Sequence, residues 1–175
     1  MGCVYSLIIV FNTAGPFFIQ NTLGYSPVFF GHIALWMGVI FLCSTLFCKK
    51  LLKKHIVEKL YLIGINTFFA ISILALILSL FLKTSLILLI ASSACMYFAT
   101  GFIFPMSMGK GVSLFRHISG AASAVMYFIN VLITSAASYF VSFVHTTTIV
   151  PMLTVDLFLL LICFGVFWRF IYVKR

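Results

Sequence analysis

A chain of 175 residues that is 64% hydrophobic and 7% charged carries more apolar surface than a water-soluble domain of that size can bury, which excludes an ordinary globular fold. The formal charge of +9 would suit a nucleic-acid partner. The basic residues, however, lie between long apolar runs, where an anionic membrane leaflet accounts for them and nucleic acid does not.

A helix needs about 20 apolar residues to cross a bilayer core. Six runs meet that need, at about 3–19, 28–48, 60–82, 85–108, 119–144 and 149–170. Gly15-Pro16 predicts a kink late in the first, with Asn12 and Gln20 on either side of it. Gly24-Tyr25-Ser26-Pro27 reads as a turn, Ser26 suited to the N-cap and Pro27 to the first position of the second helix. That helix places His32 in its first turns and ends in a basic stretch from Lys49 to Lys59. The third run carries Asn66 and closes on a tight Lys83-Thr84 hairpin. Pro105 predicts a kink late in the fourth, followed by Lys110 and Arg116. The fifth opens on Ser119-Gly120-Ala121-Ala122-Ser123-Ala124, repeats small residues at Ser135-Ala136-Ala137-Ser138, and holds Tyr127 and Asn130. Such faces allow close helix approach. After a loop at His145-Thr146-Thr147-Thr148, Pro151 starts the sixth run, which contains Asp156. It ends in an aromatic belt of Phe167, Trp168, Phe170 and Tyr172 beside Arg169, Lys174 and Arg175.

Threaded as six spans, ten of the eleven Lys and Arg residues fall on one side and only Lys83 on the other. Short basic loops resist translocation, so both termini are expected in the cytoplasm and the chain in the inner (cytoplasmic) membrane as a multi-pass protein. Enzyme chemistry finds no footing. Glu58 and Asp156 are the only acids, GxSxG is missing, and no His, Cys and Asp cluster has metal spacing. Neither a metal nor another cofactor is expected. Cys3, Cys43, Cys48, Cys95 and Cys163 read as small buried apolar residues.

Short matches recur along the chain. Phe30-Gly31-His32-Ile33 finds Phe115-Arg116-His117-Ile118 at an offset of 85, Phe11-Asn12-Thr13 finds Phe98-Ala99-Thr100 at 87, and Pro16 finds Pro105 at 89. Each unit would hold three spans, and an odd number makes the units opposite in orientation. The expected fold is an all-α membrane protein, six helices in a 3+3 inverted repeat.

Residues 14–31, Ala14-Gly15-Pro16-Phe17-Phe18-Ile19-Gln20-Asn21-Thr22-Leu23-Gly24-Tyr25-Ser26-Pro27-Val28-Phe29-Phe30-Gly31, resemble the seventh helix and following turn of major facilitator superfamily carriers. The type most resembled is the bicyclomycin-resistance drug:proton antiporter. His117-Ile118-Ser119-Gly120-Ala121-Ala122-Ser123-Ala124 is similar to that family's entry into its eleventh helix, and the basic stretch from Cys48 to Lys54 sits where the family has its helix eight to nine loop. The loop here lacks the Gly and Asp of the superfamily's inter-helix motif. The resemblance covers the family's C-terminal six helices, so it implies half of a major facilitator fold that works with a second six-helix half.

Polar groups inside spans are costly to bury and are the natural site candidates. The resemblance implies that helices one, two, four and five line the cavity. That favours Asn12, Gln20, His32, Tyr127 and Asn130 over Asn66, with interhelical hydrogen bonding as the structural alternative for each. Asp156, about 10 Å below the end of its helix, is a candidate for proton coupling, with pairing or snorkelling as the alternative. Glu58, among lysines, reads as a loop charge.

The function this implies is secondary transport, the efflux of small amphipathic molecules against protons. The expected partners are membrane lipids, a small-molecule substrate and a second six-helix half, either a separate chain or a second copy. The alternative is a non-transporting membrane scaffold, accessory subunit or remnant of a carrier, which would tolerate apolar replacement of the polar residues in its spans.

Overall fold

The computed structural model describes residues 1–54, 56–81, 85–143 and 149–169. Lys83 and Thr84, the loop from His145 to Thr148, and Phe170, Tyr172, Lys174 and Arg175 lie outside the described residues. Among the described residues six long helices make up the fold: α1 Gly2–Phe17, α2 Pro27–Leu52, α3 Val57–Phe81, α4 Leu86–Ser113, α5 Ser119–Ser142 and α6 Val150–Phe167. A π-helical turn, Phe18–Thr22, extends α1, and a 3₁₀ turn, Arg116–Ile118, leads into α5. With these turns, all six are long and apolar enough to cross a membrane, and the chain is a multi-pass membrane protein.

Local chemistry sets the boundaries. Gly24 has φ +73, a left-handed turn that favours glycine. Ser26 is extended and its Oγ accepts from the Phe29 N–H at 3.3 Å, with Pro27 at the first helical position, as the turn sequence predicts. Two helices run past their expected ends. α2 continues from Cys48 to Leu52 and α4 from Met108 to Ser113. Lys49, Lys50 and Lys110 occupy their last turns, where cations suit the exposed carbonyls and long stems keep the charge in water.

α1, α4, α3 and α6 form a closed ring in which each packs on the next and α6 returns to α1. α2 lies along the outside of α4, and α5 along α1 with a lesser contact to α4. The row α5–α1–α4–α2 is therefore backed by α6 and α3. Leu7 and Phe18 of the first span, Ile65 of α3, Met96 and Ile103 of α4 and Leu160 of α6 are fully buried between them. Burial follows the layout. In the apolar stretch of the first and fourth spans 61% of residues are buried, against 17% in the second and fifth.

α2 and α4 cross closely, backbone against backbone. A Cβ on Gly101 would stand 2.6 Å from the Phe41 carbonyl oxygen and 3.0 Å from Ser44 Cβ. Ser44 Oγ donates to the Phe98 carbonyl at 2.6 Å and Thr45 Oγ1 lies 3.1 Å from the Gly101 carbonyl. That last contact has a covalent cause. Pro105 has no N–H for the carbonyl four residues back, Gly101, and the Thr45 hydroxyl of the neighbouring helix, shared with its own Phe41 carbonyl at 3.0 Å, reaches it instead. The small face at the start of α5, by contrast, is open within the chain: a Cβ on Gly120 would meet nothing within 4 Å, and Ala124 is exposed.

Candidate membrane-embedded polar site

α1 packs against α5, α4 and α6, which leaves one stripe of its surface open. Asn12 is exposed on that stripe. Its Oδ1 accepts from the Tyr97 hydroxyl of α4 at 3.0 Å, and Tyr97 is itself buried with its ring edge-on to Phe11. The adjacent residue, Thr13, shares a 3.1 Å hydrogen bond with Ser138 of α5. Two consecutive residues thus tie α1 to both flanking helices at one depth. Seven residues toward the basic end, Tyr5 and Phe104 meet ring to ring at 5.1 Å. Pro16 lies one turn from Asn12 in the other direction.

Asn12 Nδ2 makes no hydrogen bond to any described residue, so this seam offers an amide donor on an otherwise apolar and aromatic wall. Its chemistry suits orienting an amphipathic molecule and not a bond-breaking reaction.

The other expected positions stand apart from this seam. Gln20 is half-buried in the π turn, eight residues beyond Asn12. His32 is exposed, and its Nδ1 lies 2.9 Å from the Val28 carbonyl, one turn back on its own helix. Tyr127 is 53% exposed on the outer side of α5. Asn130 is buried, with its Oδ1 unpartnered. Asn66 is exposed and donates to the Leu62 carbonyl of its own helix at 2.9 Å. No hydrogen bond joins Gln20, His32, Tyr127 or Asn130 to Asn12 or to one another. The sequence marks Ser138 only as part of the small face of the fifth run and does not mark Tyr97 or Thr45, because hydroxyl-bearing residues are common in apolar spans and nothing local distinguishes those that bridge helices.

Asp156 corrects the expectation that it would snorkel or pair. It is 7% exposed, its Oδ1 has no hydrogen-bond partner, and no ion pair reaches it among the described residues. Snorkelling fails because the short side chain of Asp cannot reach the interface from there, and α6 is packed against both α1 and α3. The fully buried Ser72 of α3 has an unpartnered Oγ. Tyr61 and Phe167 stack at 5.2 Å near the basic end. Ser72 is eleven residues along α3 from that stack and Asp156 eleven residues back along α6, so the antiparallel pair brings both to about the same depth, about 16 Å above it. Two orphaned polar groups at one level in a hydrocarbon-like interior are costly, which is the usual mark of a working position.

Glu58 is likewise corrected. It belongs to the first turn of α3, not to a loop, and pairs with Lys110 of α4. The acid suits the helix N-terminus and the lysine the helix C-terminus. Beside the pair, the Ser107 hydroxyl lies 3.0 Å from both the Tyr61 hydroxyl and the Ile103 carbonyl. This cluster lines an open pocket of about 380 Å³ at the basic end. No group of three His, Cys, Asp or Glu among the described residues could hold a metal ion, and the five cysteines are free thiols.

Compared with known proteins, the chain matches no family model, no curated protein and no solved structure.

Proposed function

We propose that this chain is one six-helix half of a proton-coupled secondary transporter for small amphipathic molecules, resembling the C-terminal half of major facilitator drug:proton antiporters. In this reading the half is a 3+3 inverted repeat. The observation that carries it is the Tyr97–Asn12 hydrogen bond, which links positions 85 residues apart on the two most buried helices. That spacing equals the offset between the His32 and His117 segments.

Packing supports the same reading. Exchanging α1–α3 with α4–α6 turns the α1–α5 contact into α4–α2 and the α1–α6 contact into α4–α3, and leaves α1–α4 and α3–α6 as they are. Ser72 and Asp156 are 84 residues apart, again close to that offset. The open stripe bearing Asn12 becomes one wall of a midplane cavity when a second six-helix unit is set against it. Asp156, uncompensated and level with Ser72, is the group proposed to take and release the coupled proton.

The test is gradient-driven flux of an amphipathic fluorescent dye in proteoliposomes, with and without an N-terminal six-helix unit. Dye movement should need the second unit and should vanish in Asn12→Leu while the protein remains inserted. Full flux in Asn12→Leu would take Asn12 out of the site, and no flux from the parent with any second unit would remove the transporter reading in favour of a scaffold, for which polar residues in the spans are dispensable.

A further inference from the structure

α2 and α3 are consecutive in sequence yet scarcely touch, because α2 packs on α4 while α3 packs on α4 and α6. The gap between them is a groove of about 430 Å³ with α4 as its floor. Phe47 forms one wall, Ile63 and Phe68 the other, and Phe98 and Phe102 the floor, while Lys59 stands at the mouth. Gly64 lets α3 lie close on that floor, since a Cβ there would meet the Phe102 ring at 3.3 Å. Ile63 and Phe47 remain about half exposed, at 54% and 49%, so no described residue fills the space. From Lys59 to Phe68 is nine residues of helix, about 14 Å. That is close to half of the roughly 30 Å hydrocarbon core, the depth of a single leaflet. Around the mouth, Lys49, Lys50, Lys53 and Lys54 are all exposed at the same end.

An apolar slot one leaflet deep with a cationic rim has the shape and charge of one kind of molecule. We propose that this groove binds an anionic phospholipid of the adjoining leaflet, an acyl chain lying along Ile63, Phe68 and Phe102 and the phosphate against Lys59. The positive charge there is then a headgroup site as well as a determinant of topology. This inference does not depend on the transporter reading.

Native mass spectrometry of the full chain in detergent tests it, with dioleoylphosphatidylglycerol and dioleoylphosphatidylcholine titrated in parallel. Phosphatidylglycerol should bind at least fivefold more tightly. A basic residue near an anionic lipid contributes about 1 kcal/mol, or about fivefold in affinity, so Lys59→Gln should lose about that much. Arg116→Gln removes the same charge from the turn before α5 and should stay within twofold of the parent. Ile63→Trp fills the groove from an exposed position and should weaken phosphatidylglycerol about tenfold. Equal binding of the two lipids, equal losses in Lys59→Gln and Arg116→Gln, or an unaffected Ile63→Trp would each overturn the site.

Discussion

The Tyr97 hydroxyl and the Asn12 side-chain oxygen join the two central helices by one 3.0 Å hydrogen bond, at the level where Thr13 ties α1 to Ser138 of α5. Removing the hydroxyl alone tests how much that bond does. Tyr97→Phe keeps the edge-on contact with Phe11 and should cost about 0.6 kcal/mol, and no more than about 1.7, as interhelical hydrogen bonds in membranes do. Reversible unfolding in mixed micelles of rising dodecyl sulfate content measures it. A loss beyond about 3 kcal/mol would mean that the ring, and not the bond, has moved.

Asp156 should separate stability from function. Its carboxyl is buried without a partner, and an unsatisfied buried group costs about 1–3 kcal/mol. Asp156→Leu should therefore unfold later than the parent by about that amount while losing proton-driven dye flux. A stabilised variant that still couples flux to protons would take Asp156 out of the proposed mechanism.

Two glycines make opposite predictions. Gly101→Ala forces a Cβ toward the Phe41 carbonyl, and backbone cannot swing aside as a side chain can. The cost should be about 1–3 kcal/mol, read as a lower unfolding midpoint. Gly120→Leu combined with Ala124→Leu meets open space and should leave the unfolding of the isolated chain unchanged. If the small face of α5 is the seam with a second copy or half, the double variant should instead reduce cross-linked dimer or heteromer. A parent that cross-links only as monomer when expressed alone would remove self-pairing.

Orientation can be read directly. With the five native cysteines replaced by alanine, Ser26→Cys should react with an impermeant maleimide on intact cells. Lys53→Cys, at the other end of α2, should react only after permeabilisation. The opposite pattern would invert the expected topology.

The number of long apolar helices was legible in sequence because six apolar runs separated by Gly, Pro and basic residues leave few other readings, whereas the ends of α2 and α4 were not, since their last turns are charged. The Ser26 cap was legible because its chemistry is local. Which face of each helix turns inward was not. In a membrane protein the lipid-facing and core-facing sides are both apolar, so the periodicity that orients a soluble helix is nearly absent. This is why Asn12 stood out as a polar residue but its partner Tyr97 did not, and why Ser72 went unnoticed among the many serines of the spans. Glu58 was misread because the helix beneath it begins earlier than the apolar run, at Val57, where a charged first turn can still face water.

The ring of α1, α4, α3 and α6 also constrains how the protein can be made. Among the described residues α1 finds its main packing partners in α4, α5 and α6, and α2 finds its main one in α4, while α1 and α2 share the stacked Phe11 and Phe30 rings at 5.7 Å. A ribosome that has delivered the first three helices has released segments whose main packing surfaces are still to come. Assembly within the bilayer must wait for the second half of the chain, and the early helices depend meanwhile on the insertion machinery or on lipid alone. A stop after α3 should yield fragments that insert and are then degraded.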